Sequence, residues 1–377
     1  MGSGLYTRNF LLISLANFFN VSGIGFFYLF PLFLTLHGAT KSDIGIAMGI
    51  SSLSSILFRP WISEMVDRIG RKRSYEIGCL IMTVVPLLYM RFEGKLEDFY
   101  LPLLLLRFIH GIGIAICFTA VFTYVADIVP KERLNEGLGM FGTTGLMGLA
   151  IGPSVAEFIV KSFGFPFFFL SSSMASFFSL IIIALLPESY SSPKKLSFLD
   201  ILKTKKILPV SVISLLFGIA LSATGNFVSP FSEEIGLGFI SLYYISYSFS
   251  AITVRIFGGR IGDLFGEERV IPYGIIIESL GVFMLFFLKD ELLLFLSGII
   301  SGCGHGILFP CLNSFIIKGQ PAYIRGRLVG IFTGTIDLGI FLGSVLLGYV
   351  GEFFGFRTIF LLSSIILLTG LLIRLDT

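Results

Sequence analysis

The chain has 377 residues, of which 55% are apolar and 14% charged, with a mean hydropathy of +0.92. A soluble protein carries roughly 25% charged residues, so this composition excludes an assembly of water-exposed domains. The net charge of +3 gives no field for nucleic acid, and four dispersed Cys and three dispersed His give neither a disulfide framework nor a metal-ligand spacing.

A membrane span needs about 20 mostly apolar residues. Such runs lie at 9–36, 42–66, 74–91, 99–128, 135–160, 164–186, 207–232, 240–262, 270–288, 291–317, 322–350 and 355–374. The first run is too long for the apolar core of a signal peptide and reads as a retained span. The chain is therefore expected to be an all-α integral membrane protein with 12 transmembrane helices. With both termini on the cytoplasmic side, eighteen of the 27 Lys and Arg residues fall in cytoplasmic segments, six in outer segments and three inside spans. That bias follows the positive-inside rule and supports both the orientation and the count.

The two halves repeat. At an offset of 196, Arg59, Asp67, Gly70 and Arg73 fall on Arg255, Asp263, Gly266 and Arg269. At an offset of 191, Pro130, Gly139, Gly148, Gly152, Gly164 and Phe165 fall on Pro321, Gly330, Gly339, Gly343, Gly355 and Phe356, and Gly111 and Gly113 on Gly302 and Gly304. Two six-span copies in one orientation form a parallel repeat. The expected organisation is an N-terminal six-helix bundle over 1–186, a cytoplasmic linker over 187–206 and a C-terminal six-helix bundle over 207–377. The linker segment is polar, basic and contains Pro193.

Three motifs carry a family resemblance over roughly residues 8 to 375. The loop between spans 2 and 3 is similar to G-x-x-x-D-R-x-G-R-R/K, matched by Asp67, Arg68, Gly70, Arg71 and Lys72, with Ser63 in place of the leading Gly. Its second-half copy keeps Arg255, Gly259, Asp263 and Gly266 and lacks the basic tail. Span 4 carries R-x-x-x-G-x-G at Arg107, Gly111 and Gly113. Span 5 carries Gly139, Gly148, Gly152 and Pro153 at the spacing of an antiporter motif, with Ala156-Glu157 where that motif closes on Gly-Gly. On these motifs the chain resembles the major facilitator superfamily, in particular its 12-span drug/proton antiporter-type exporters. The resemblance implies a fold of two pseudo-symmetric six-helix bundles that alternate access to a central site.

The motifs also have direct physical readings. A carboxylate at Asp67 is stabilised if it faces a helix N-terminus, and the fold implied by the resemblance puts it opposite the start of span 11. There it would latch the halves. Arg71, Lys72 and Arg73 serve either that switch or simple anchoring on the cytoplasmic side. The span 5 glycines open grooves for a neighbouring helix, either as a flexible seam biased toward export or as ordinary close packing.

An ionisable group inside the bilayer costs at least about 2.5 kcal/mol and needs a reason. Asp337, midway along span 11, is the leading proton carrier. Arg59, about 12 Å along span 2 from Asp67, and Arg107 are the cations that tune or pair with a carboxylate. A static pair of Arg107 with Glu157 is the alternative. Glu278, in span 9, reads as structural, because the resemblance makes that span peripheral. The resemblance puts spans 1, 4, 7 and 10 around the cavity, so Asn17, Asn20, His110, Asn226, His305 and Asn313 are candidates to touch substrate. A Phe-rich, sparsely charged lining suits an amphipathic solute.

The sequence thus points to a secondary active transporter, not an enzyme, exporting small amphipathic molecules against protons. An uptake carrier or uniporter for a sugar or organic acid is the alternative. The absence of G-x-x-x-x-G-K-[ST] leaves no nucleotide drive in this chain. Cofactors and metals are not expected. The expected partners are substrate, protons and lipid, with a monomer in the cytoplasmic membrane.

Overall fold

The structure is a computed structural model that describes residues 5–130, 133–189, 207–258, 261–320 and 322–375. The expected linker, 187–206, falls mostly outside the described residues. Among those described, the regular structure is helical. The first half contains α1 (Arg8–Phe26), α2 (Phe30–Leu36), α3 (Lys41–Ile69), α4 (Arg71–Tyr89), α5 (Leu96–Ile128), α6 (Leu134–Phe163) and α7 (Phe165–Ala184). The second contains α8 (Ile207–Glu234), α9 (Leu242–Gly258), α10 (Ile261–Phe265), α11 (Glu267–Met284), α12 (Glu291–Ile317), α13 (Ala322–Phe354) and α14 (Phe356–Leu368). With α1–α2 and α9–α10 each filling one span, these helices make the twelve spans read from hydropathy. Eight of the helical segments are long and apolar enough, by length and composition, to cross a membrane.

Local chemistry sets several boundaries. The Thr7 hydroxyl accepts from the Phe10 N–H at 3.2 Å and starts α1. Asp290 Oδ1 accepts from the Leu293 N–H at 2.8 Å and starts α12. Both satisfy an orphan donor of a first helical turn. The break between α1 and α2 is a run of tight turns over Phe27–Leu29, after which Pro31 sits in the first turn of α2, where a missing N–H costs nothing.

The repeat is visible in the backbone. Gly70 and Gly266 precede α4 and α11 with φ of +104° and +89°, and Gly164 and Gly355 precede α7 and α14 with φ of +82° and +84°. These are the pairs that the two sequence offsets align. A side chain there would force left-handed backbone at about 1–2 kcal/mol, which explains glycine at all four.

Contacts divide the chain into two compact units, residues 1–33 with 53–194, and residues 34–52 with 195–377. In the first, α1 packs on α6 and α7, and α4 on α5 and α7. In the second, α8 packs on α13 and α14, α11 on α12 and α14, and α9 on α12. The α1–α6 seam is made by the span 5 glycines. A Cβ at Gly148 would meet the Ser22 N–H at 2.9 Å, and one at Gly152 would strike the Ser22 carbonyl. The α8–α13 seam uses their repeat partners: a Cβ at Gly339 would strike the Leu215 carbonyl, and one at Gly343 would meet Ile219 Cα at 2.9 Å. A side-chain hydrogen bond crosses each seam, Asn17 Nδ2 to Thr144 Oγ1 at 3.0 Å and Asn226 Nδ2 to Ser344 Oγ at 2.7 Å. Residues 34–52 join the second unit because Gly45 and Gly49 lie against Ser344, and the Lys41 N–H donates to Glu352 at 2.7 Å.

Candidate functional site

The turn between α3 and α4 is an ion network. Arg71 is buried. Its Nε donates to Asp127 Oδ2 at 3.0 Å, one terminal nitrogen lies 3.3 Å from Asp67, and the other donates to the Val66 carbonyl at 3.2 Å. Above it, Glu188 closes the open start of α4. Its Oε1 accepts from the Arg71 and Lys72 N–H groups at 2.8 and 3.1 Å, and its Oε2 from the Arg73 N–H at 3.4 Å. A carboxylate on free helix N–H groups is the contact that was expected of Asp67. Here Glu188 makes one such contact, on α4. The start of α13 belongs to the other unit, and the side chains at 321–326 lie outside the described residues. Lys72 Nζ donates to the Ala184 carbonyl at 2.9 Å, Arg68 pairs with Glu64 at 2.6 Å, and Ser63 is exposed. Ser189 and Tyr124 tie in the segment after α7, donating to Asp127 at 3.2 Å and to the Pro187 carbonyl at 2.8 Å.

The matching turn of the second unit holds the same bridge with the charges exchanged. Glu267 stands where the offset of 196 places Arg71, and Lys318 where the offset of 191 places Asp127. Lys318 Nζ reaches Glu267 Oε2 at 2.6 Å, and the Ser314 hydroxyl donates to Oε1 at 2.8 Å. Gly266 precedes this helix as Gly70 precedes α4. Gly259 and the Asp263 side chain lie outside the described residues.

A second cluster sits at the α1–α2 break. Arg107 and His110 are buried on α5. The Arg107 guanidinium lies 5.5 and 5.2 Å from the ring centres of Phe27 and Phe30. The His110 ring meets Phe27 edge-on at 4.4 Å and lies 6.2 Å from Tyr89. Aromatic faces hold a desolvated guanidinium by about 0.5–2 kcal/mol each. Glu157, the carboxylate weighed as a partner for Arg107, pairs with Lys161 at 2.6 Å.

In the second unit His305 lies among Phe217, Tyr247 and Phe309, at 5.3, 5.4 and 5.6 Å between ring centres. The Tyr247 hydroxyl and His305 Nδ1 share a hydrogen bond of 2.5 Å. The Arg255 guanidinium covers the other end of this group, 5.4 Å from the Phe309 ring. Asn313 is half-buried, just under one turn beyond Pro310 on α12. Asp337 is half-buried on α13, in the second unit, and Arg59 is half-buried on α3, in the first. Asn20 is buried on α1.

Reading along the sequence missed Glu188, Asp127, Tyr247 and the Glu267–Lys318 bridge. For the bridge a signal existed: opposite charges at two positions aligned by the repeat. For Glu188 there was none, because it acts 117 residues from the turn it closes.

The family model described as Major Facilitator Superfamily matches residues 10–256 and 210–376. An uncharacterised MFS-type transporter of Methanocaldococcus jannaschii is 26% identical over 96% of each chain. The staphylopine export protein of Staphylococcus aureus is 23% identical over 88% of this chain and 86% of its own. The multidrug resistance protein MdtG of Enterobacter lignolyticus is 23% identical over 92% and 86%. Among solved structures, a D-xylose-proton symporter superposes with a TM-score of 0.79 at 14% identity, covering 97% of this chain and 96% of its own. The nucleoside transporter NupG does so with 0.77 at 16% identity, covering 98% and 100%.

Proposed function

Because the chain belongs to the major facilitator superfamily and is a multi-pass membrane transporter rather than an enzyme, we propose that it exports small amphipathic molecules in exchange for protons, by alternating access, across the cytoplasmic membrane. The observation that carries this reading is full-length similarity to two exporters, of staphylopine and of drugs. The span 5 motif supports it: Gly148, Gly152 and Pro153 form the close α1–α6 seam, and a Cβ at Gly25 would meet Pro153 Cδ at 3.2 Å. Asp337 is the proton carrier in this proposal, and Arg107 and Arg59 are the further candidates for proton coupling. Asn17, Asn20, His110, Asn226, His305 and Asn313 are the polar groups offered to substrate. Asp67, Arg71 and their neighbours form the switch. Both termini are cytoplasmic and the working unit is a monomer.

Proteoliposomes with an imposed pH gradient test it. Fluorescent amphipathic drugs and siderophore-like compounds are the first solutes to load. Expected is solute movement against the direction of proton flow, accelerated by the gradient. Movement together with protons would make the protein an uptake symporter, and flux indifferent to the gradient would make it a uniporter.

A further inference from the structure

Glu278 lies midway along α11 and is fully buried. Neither carboxyl oxygen has a hydrogen-bond partner among the described residues. An ionised carboxylate in such a place costs several kcal/mol, whereas the neutral acid is tolerated.

Packing does not ask for this carboxyl. A Cβ at Gly304 would strike the Glu278 N–H, and Glu278 Cβ would lie 2.7 Å away, so α11 touches α12 here through bare backbone. The first unit builds the same contact from Gly113, whose Cβ would meet Ile81 Cγ2 at 2.7 Å and Met82 Sδ at 3.3 Å. Gly113 and Gly304 are aligned by the offset of 191, Met82 and Glu278 by that of 196. One copy therefore fills the seam with methionine, a side chain of the same length, and the other with an acid.

The surroundings are polar. Ser279 and Ser301 carry buried hydroxyls at this depth. On α12, the residue after Gly304 is His305, bonded to Tyr247. Among the described residues, no charged side chain pairs with the acid from the other packed helices. The ionisable groups of α8 are Glu233 and Glu234 at its end, and that of α14 is Arg357, spent on the Phe286 and Leu288 carbonyls. On α11 itself, Glu267, Glu268, Arg269 and Tyr273 lie in the first two turns, and Asp263 is the acid of α10.

We propose that Glu278 is a reversible proton-binding site of the second unit, beside the His305–Tyr247 pair. The acid O–H breaks when water enters the seam, the proton passes to that water, and the carboxylate remains until it is reprotonated. This site adds a second acid to the proton coupling proposed above and rests on that reading only for its use in transport. Binding is tested without transport.

Infrared difference spectra of the full-length protein in lipid, titrated from acid to alkaline buffer, read protonated carboxyl groups directly. Expected is a carboxylic C=O band at neutral pH that disappears in Glu278→Gln and Glu278→Met and that falls as the buffer becomes alkaline. Glu278→Met guards against misfolding, since Met82 occupies the equivalent seam. A band unchanged in both variants, or one lost in the variants but constant across the titration, would overturn the proposal. If the band titrates while proteoliposome flux ignores the pH gradient, proton binding stands and proton-coupled export falls.

Discussion

At the scale of single residues, the exchanged ion pairs separate what the fold needs from what the motif spells. Arg71–Asp127 and Glu267–Lys318 each tie the start of one helix to the end of the next at matched positions. The missing basic tail of the second copy is thus a reversal of polarity at its buried member. Lys318→Ala leaves Glu267, 1% exposed, without its cation, and leaving a buried polar group unsatisfied costs about 1–3 kcal/mol. The double variant Glu267→Arg, Lys318→Asp rebuilds the first unit's polarity and is expected to unfold at a higher temperature than either single variant in lipid nanodiscs. A double variant no better than the worse single one would mean that Ser314 and the local backbone, not charge pairing, hold Glu267. Glu188→Ala removes the acceptor for three N–H groups of α4 and is expected to cost about 0.5–2 kcal/mol. The same thermal melts read that loss, which should be absent in Glu64→Ala on the exposed face of α3.

At the scale of helices, hydropathy finds each span to within a few residues, because a bilayer demands one long apolar run per crossing. It misses the α1–α2 break, since Phe27 to Leu29 are as apolar as a helix interior. The glycines are legible in a finer way: alignment of the copies picks out those that close seams, but not which of them touch anything. Gly152 lies against the Ser22 carbonyl and Gly343 against Ile219, whereas Gly139 and its partner Gly330 have nothing within 4 Å of a built Cβ. Gly152→Val and Gly343→Val are therefore expected to prevent monodisperse purification. Gly139→Ala and Gly330→Ala are expected to be neutral or to stabilise by up to about 1 kcal/mol through helix propensity. Size-exclusion profiles of the four variants check this. Tolerance of Val at 152 and 343 would show that the seams open freely. The same glycines cannot say whether a seam slides, because close approach is common to static and moving contacts.

At the scale of the whole molecule, both units carry ionisable groups within their spans. Arg59, Arg107 and His110 belong to the first, and Asp337, Glu278 and His305 to the second. The sequence lists every one of these, but their roles depend on side-chain surroundings, which periodicity does not encode. That is why Glu278 reads as peripheral from its span number and as a dry acid from its contacts. A proton entering the cell gains about 2.3 kcal/mol per 100 mV and about 1.4 kcal/mol per pH unit, and each 1.4 kcal/mol supports about a tenfold solute gradient. Only a group that must be protonated in one orientation and deprotonated in the other passes that energy on. Asp337→Asn fixes the neutral form. In proteoliposomes its efflux under a proton gradient is expected to fall to the rate seen without one, while solute–solute exchange continues at equal pH, because exchange needs no net proton movement. Loss of both activities would mark Asp337 as a substrate or folding residue, and retention of gradient-driven efflux would move the carrier elsewhere in the chain. Glu278→Gln measured beside it separates the two acids. If both variants lose the gradient effect and keep exchange, coupling passes through two sites in series, and the second unit is where the proton's energy is converted.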